Sequence, residues 1–254
     1  MTEFQLLRGK IAVITGAANG IGLTTAMRLA EQGADVALLD FNVTLLEQAC
    51  ERVNGLGRQA LGVPLDCTDR VHVAKSFKRI QAELGPIDIL VNSVGQSARE
   101  RMTDFTNANL DTLDFLLAVN LKSCILCSHQ VAADMKARKT GKIVNITSES
   151  AVNGSPRSWD YAAAKAGVIG FTRAVARELA PFGVNVNAIG PGPTRTRALD
   201  EMPKGVIDKI IAEIPMGRIA EPDDIASAVV FFASDQSAFI TGQTLLVNGG
   251  HWML

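Results

Sequence analysis

The sequence predicts a doubly wound α/β fold built on one parallel sheet. Three observations point there. Strand-like and helix-like segments alternate from one end of the chain to the other, the strand segments are nearly continuous in apolar residues, and the connections are short. Apolar runs of this kind suit parallel strands covered on both faces, and such units joined by right-handed crossovers build a single open sheet. At 254 residues the chain fits one large domain, with enough core to need neither a metal nor a disulfide staple.

The elements follow in order. Ile11–Thr15 is a short buried strand, followed by a glycine turn and a helix through about Gln32. Asp35–Asp40 is a second strand with a helix through about Asn54, and residues 59–65 form a third with a helix from Asp69 to about Leu84. Residues 87–91 make a fourth strand. In the second half, one long helix runs from Leu110 to about Lys139, then residues 142–147 form a fifth strand. Residues 158–180 are helical, residues 183–189 form a sixth strand, a helix covers about 223–233, and Thr244–Val247 closes the sheet as a seventh. Two segments break the rhythm: residues 95–104 and residues 190 to about 216. Both leave the carboxyl ends of strands, where open α/β sheets bind ligands, and the second is long enough to act as a lid.

Composition excludes several function classes. Twenty-five basic and 26 acidic residues give a net charge of −1, which offers no general field for nucleic acid or an anionic membrane. Cys124 and Cys127 make a C-x-x-C inside a helical pattern, and with Cys50 and Cys67 they read as reduced, packed thiols. His72, His129 and His251 are scattered, so no metal site is expected. The N-terminal segment lacks a signal-peptide core, and no apolar run approaches the roughly 20 residues of a membrane helix. The expectation is a soluble, cytoplasmic protein.

The first turn carries the first chemistry. Gly16, Gly20 and Gly22, with Asn19 and Ile21 between them, follow the first strand and open the first helix. Glycine lets a backbone turn sharply and approach a pyrophosphate, and the helix end then offers free N–H groups. A plain helix-entry turn would also need glycine. The pairing with Asp40, at the end of the second strand, favours a dinucleotide: its carboxylate can accept from an adenosine ribose diol and would repel a 2′-phosphate. The cofactor is therefore read as NAD rather than NADP, with Phe41 next to Asp40 in the same cradle. Asp66, followed by Cys67, ends the third strand at the adenine edge, although a helix cap would account for Asp66 as well.

Taken together, the motifs resemble those of the short-chain dehydrogenase/reductase family along essentially the whole chain. They are T-G-x-x-x-G-x-G at Thr15–Gly22, N-x-x-G at Asn92–Gly95, Asn120, Ser148, Tyr161 with Lys165 four residues on, and Pro191-Gly192 followed by Thr196. The resemblance implies a seven-stranded Rossmann fold and a nicotinamide-dependent oxidoreductase. Where the family usually has N-N-A-G, this chain has Asn92-Ser93-Val94-Gly95, and Val94 adds bulk near the adenosine. By the same resemblance, backbone groups near Thr194 and the Thr196 hydroxyl fix the nicotinamide carboxamide, and Asn120 holds a water that links Lys165 to solvent. A homotetramer built on the long helices and last strand is also implied.

The chemistry expected of these residues is general acid–base catalysis. Tyr161 and Lys165 project from one helix face. A phenol is a poor base at neutral pH, and nearby positive charge favours its phenolate. Tyr161 would take the proton of a substrate alcohol as hydride leaves for the nicotinamide, while Ser148 hydrogen-bonds the substrate oxygen. The expected substrate is a secondary alcohol or its ketone; a 3-oxoacyl thioester is the alternative. Arg99, Arg101, Arg157, Arg195 and Arg197 lie in loops at the carboxyl edge of the sheet. They suit an anionic substrate, or are simply solvated surface arginines. Two rivals are a non-catalytic NAD(H)-sensing regulator, against which the intact Ser148, Tyr161 and Lys165 argue, and an epimerase or dehydratase, for whose extra substrate domain the chain leaves little room.

Overall fold

The computed structural model of the chain describes residues 5–196, 199 and 203–253. Seven strands, β1 (Ile11–Thr15), β2 (Asp35–Asp40), β3 (Ala60–Pro64), β4 (Ile89–Asn92), β5 (Gly141–Ile146), β6 (Val184–Pro191) and β7 (Thr244–Val247), form one sheet. The order is β3-β2-β1-β4-β5-β6-β7 and every pairing is parallel. Chain direction across the sheet reverses between β1 and β4, and the crevice outside that switch point is where such sheets take ligands.

Successive residues of a strand point to opposite faces, which explains the continuous apolar runs. Ala12 and Ile14 of β1 belong to a layer completed by Ala26 and Leu29 of helix α1 (Gly20–Glu31) and by Ile225 and Val229 of a late helix, Pro222–Ala233. Leu46 and Ala49 of α2 (Val43–Asn54) join the same layer. Val13 belongs to the opposite layer, with Phe77 and Ile80 of α3 (Arg70–Glu83). Local signals start these helices: Asn42 accepts from the Leu45 N–H at the start of α2, and Asp69 accepts from Val71 and His72 at the start of α3.

The segment 110–139 departs from the expected uniform α-helix. It comprises α4 (Leu110–Leu117), a π-helical turn (Ala118–Lys122) and α5 (Ser123–Arg138). The turn is stabilised by Asn120, whose Nδ2 donates to the Leu116 carbonyl at 3.0 Å and to the Gln96 carbonyl at 2.9 Å. A side chain that inserts into the helical ladder in this way widens the turn locally. After β5 come a single helical turn, α6 (Ser150–Asn153), and the long α7 (Trp159–Leu179).

Residues 190–216 also hold more structure than a loop. Strand β6 continues to Pro191, and helix α8 (Lys204–Glu213) lies within the segment. Its Ile207, Ile210 and Ile211 pack with Leu199, Ile214 and Ile219 in a small cluster separate from the two sheet layers. The late helix Pro222–Ala233 is α9; Glu221 and Asp224 close a reciprocal capping box at its start. Among the described residues no helix is long and apolar enough to cross a membrane.

Candidate active site

The turn after β1 is shaped for close approach. Gly16 has φ +66°, and a side chain there would meet the Ser93 and Val94 backbone at 3.3 Å. A Cβ on Gly22 would fall 2.0 Å from the Gly16 carbonyl oxygen, so nothing larger fits. The Thr15 hydroxyl accepts from the N–H groups of Ser93 and Val94 at 3.0 and 3.3 Å, which ties the end of β1 to the end of β4. Unlike α2, α3 and α4, helix α1 starts without a side-chain cap: Asn19 is extended and its side chain makes no capping bond. The free N–H groups of that helix end therefore face the cradle, and suit a phosphate.

Asp40 stands beside the cradle, 8% exposed. Its Oδ2 accepts from the Ala18 N–H at 3.1 Å and its Oδ1 from the Asn42 N–H at 3.0 Å, while the helix cap itself is Asn42. Each carboxylate oxygen keeps a lone pair for a further donor. Phe41 is exposed at the rim. On the far side, a Cβ on Gly20 would lie 3.7 Å from the Thr196 side chain, so the loop after β6 borders the same cleft. That loop is pinned in place: Thr194 bridges to Ala220, and its hydroxyl donates to the Gly192 carbonyl at 2.9 Å.

Ser148, Tyr161 and Lys165 converge at the carboxyl end of β5. Burial pushes the Tyr161 phenol above its ordinary range; the neighbouring Ser148 hydroxyl and the charge of Arg99 act in the opposite sense. Lys165 is 3% exposed, and its Nζ donates to the Ile146 carbonyl at 2.9 Å. The same Nζ stands 5.9 Å from the centre of the Tyr161 ring. Burial lowers its ammonium to about 8. Asn120 is fully buried on the π turn, and its Oδ1 accepts from the Gln96 N–H at 3.1 Å. Gly95 is the meeting point: a Cβ there would lie 2.9 Å from both Asn120 Oδ1 and Lys165 Nζ.

Other expected site residues turn their side chains elsewhere. Asn92 sits opposite Asn145 in the β4–β5 register and donates to Asn145 Oδ1 at 2.8 Å and to Ser128 Oγ at 2.9 Å. Its polar side chain belongs to an interior network that continues through Asn145 to Thr172 and Cys124. Cys67 is buried, and its thiol, together with burial, pushes the Cys127 thiol up. Asp66 is exposed and accepts from the N–H and hydroxyl of Thr68.

The loop arginines separate. Arg157 lies 3.7 Å from Asp104, Arg195 lies 2.8 Å from Glu221, and Arg101 stacks over Phe115 at 5.4 Å. Arg99 is the one whose charge is felt at Tyr161. Arg197 falls outside the described residues. The sequence reading missed Asn145 and the Thr15 hydroxyl clamp, and Glu149, directly after Ser148, lies buried.

A family profile described as Enoyl-(Acyl carrier protein) reductase matches residues 16–251, nearly the whole chain. The chain belongs to the short-chain dehydrogenase/reductase family. It is an oxidoreductase of that family. Among its relatives is the (2S)-[(R)-hydroxy(phenyl)methyl]succinyl-CoA dehydrogenase subunit of Thauera aromatica, 37% identical over 96% of this chain and 97% of that one. A 3-oxoacyl-acyl-carrier-protein reductase of Thermotoga maritima is 34% identical over 96% and 98%. Among solved structures, NAD⁺-bound xylitol dehydrogenase superposes with a TM-score of 0.92 at 31% identity, covering 96% of this chain and 99% of the other.

Proposed function

We propose that the chain is an NAD(H)-dependent oxidoreductase that interconverts a secondary alcohol and its carbonyl compound, with Tyr161 as general acid and base. The observation that carries this reading is the pairing of Tyr161 with buried Lys165, whose Nζ stands 5.9 Å from the tyrosine ring, next to an uncapped glycine cradle. The residues fit a dinucleotide. Gly16, Gly20 and Gly22, with the start of α1, would hold the pyrophosphate, and Asp40 the adenosine ribose. Val94 and Gly95 line the floor, and Pro191, Gly192, Thr194 and Thr196 border the nicotinamide end. Cys67 and Asn92, whose side chains lie in the interior, would meet the cofactor through their backbone. When bound, NAD⁺ supplies the hydride acceptor.

Tyr161 Oη takes the proton of the substrate hydroxyl in one direction and returns it in the other. Ser148 Oγ donates to the substrate oxygen and stabilises charge as it develops there. Lys165 is held by the Ile146 carbonyl so that its charge stays beside Tyr161. Asn120 fixes the loop after β4 against Lys165 through Gln96.

In the same reading the chain works as one domain, with residues 190–216 as a lid over the substrate, in a cytoplasmic homotetramer. The apolar groove along Leu117, Ala118, Leu121 and Ile125, and the exposed Phe239 near edge strand β7, support assembly. A 3-oxoacyl or 3-hydroxyacyl thioester is the second reading for the substrate, favoured by the two relatives named for thioester or carrier-protein substrates.

The test is NADH formation from NAD⁺ across polyols, cyclic alcohols, hydroxy acids and 3-hydroxyacyl thioesters. NADP⁺ and Tyr161→Phe serve as controls. Turnover confined to NAD⁺ and abolished in the variant supports the proposal. Preference for NADP⁺ would overturn the role given to Asp40, and full activity of Tyr161→Phe would overturn the mechanism.

A further inference from the structure

The end of the chain returns to the loop that carries Ser148. Glu149, the next residue, is 6% exposed, and its backbone N–H donates to the Pro191 carbonyl at 3.0 Å. A carboxylate so buried needs donors, and both come from about a hundred residues away. Asn248 Nδ2 donates to Glu149 Oε2 at 3.1 Å, and His251 Nδ1 stands 2.9 Å from Glu149 Oε1. Opposite a carboxylate, which when ionised only accepts, Nδ1 is the imidazole's donor. Gly192 makes room for this meeting: a Cβ there would lie 2.6 Å from Asn248 Cβ and 3.1 Å from Glu149 Oε2.

The turn that delivers His251 also supports the end of α8. The Met216 N–H donates to the Gly249 carbonyl at 3.1 Å, and a Cβ on Gly249 would lie 2.8 Å from Ile214. His251 itself is closed into its turn by a bond from its N–H to the Asn248 carbonyl at 3.1 Å. Its second ring nitrogen, Nε2, faces Glu213 Oε2, at the last residue of α8, at 3.6 Å. One imidazole thus stands between the loop of Ser148 and the carboxyl end of the helix in the 190–216 segment.

We propose that His251 is a positioning residue: by holding Glu149 it fixes the Ser148 loop, and by its place in the Asn248–Trp252 turn it registers the end of the substrate lid against that loop. The proposal rests on the roles given above to Ser148 and to residues 190–216. Glu149 and His251 touch no reacting atom in this scheme; they act through Ser148.

The test uses the full chain with two variants, His251→Ala and His251→Asn. Asparagine keeps an amide donor close to the Nδ1 position, so it restores the bond to Glu149. His251→Ala is expected to lower kcat/KM for the best alcohol about tenfold or more, with NAD⁺ affinity by calorimetry changed less than about twofold. His251→Asn is expected to recover most of kcat. Hydrogen exchange gives a readout independent of turnover: in His251→Ala, amides of 148–153 and 213–216 should exchange faster, while those of β1 and β2 keep their protection. Wild-type kinetics together with wild-type exchange in His251→Ala would overturn the proposal. So would an asparagine variant as impaired as the alanine one, or losses that spread to NAD⁺ affinity and to β1. If the wild-type chain oxidises no alcohol, the reading of Ser148 fails, and the exchange pattern still decides whether His251 ties the two segments together.

Discussion

Replacing Lys165 with methionine should make the protein more stable while stopping its chemistry. Lys165 is 3% exposed and burial lowers its ammonium from 10.5 to about 8. The folded value lies below the unfolded one, so the fold prefers the neutral amine. That preference stabilises the fold fully above pH 10.5 and is lost as pH falls towards 8. Below about pH 8 the fold carries a buried ammonium at its whole cost of about 3 kcal/mol, each pH unit of displacement being worth about 1.4 kcal/mol. Methionine removes that cost. It also removes the donor to the Ile146 carbonyl, a loss of about 1 kcal/mol. The net gain at neutral pH is about 2 kcal/mol, or about 4–8 °C in Tm for a chain of this size. Thermal unfolding of both proteins from pH 7 to 10.5, with NADH formation measured on the same samples, checks it. The gap in stability should close as pH rises from 8 to 10.5. A variant that melts below the wild type at pH 7, or a gap that does not change with pH, would refute the claim that Lys165 is held at the expense of the fold.

Two further substitutions probe the same junction. Gly95→Ala would put a Cβ 2.9 Å from both Lys165 Nζ and Asn120 Oδ1. Displacing either should lower kcat by about 10- to 100-fold, with a stability loss of only about 1–3 kcal/mol; steady-state kinetics and thermal melts separate the two. Ser148→Ala should lower kcat by about 100- to 1,000-fold. Because Tyr161 is the only tyrosine in the chain, its near-ultraviolet titration can be read without interference from another phenol. Loss of the Ser148 hydroxyl should move that titration to higher pH, since the hydroxyl favours the phenolate; movement to lower pH would mean that Ser148 does not support the charged form.

Much of the fold was legible because its strands are covered on both faces. Val13 and its neighbours Ala12 and Ile14 serve opposite layers, so the run is apolar throughout and reads as a parallel strand. The helix over 69–84 was legible from its spacing, and the structure adds the cap at Asp69 that starts it. The π turn was not legible. Its cause is a bond from Asn120 to Gln96, 24 residues back in the chain, and a one-residue widening leaves no mark on the apolar period of residues 110–139. Helix α8 was hidden for a related reason. Its apolar residues pack on a small cluster of their own rather than on the sheet, so the segment read as an interruption.

The candidate site divides along the same line. Residues whose place depends on local backbone shape or helix spacing were legible: Gly16 and Gly22 sit in the tight turn after β1, and Tyr161 and Lys165, four apart on α7, lie close together. Residues whose surroundings depend on register were not. Asn92 is one residue from the loop that faces the cleft, yet the β4–β5 pairing sets it opposite Asn145, and its amide donates to Asn145 Oδ1 and Ser128 Oγ in the interior. For the five loop arginines the sequence left an anion site and solvated surface charge both open, and Arg157 and Arg195 meet Asp104 and Glu221. These are exposed pairs of the kind that contribute little to stability, and they spend the charge that a substrate would need. Arg99 is the arginine whose charge is felt at Tyr161, and Arg99→Gln should lower turnover of hydroxy acids while leaving neutral alcohols near the wild-type rate. A uniform effect on both substrate classes would mean that Arg99 acts on Tyr161 rather than on the substrate.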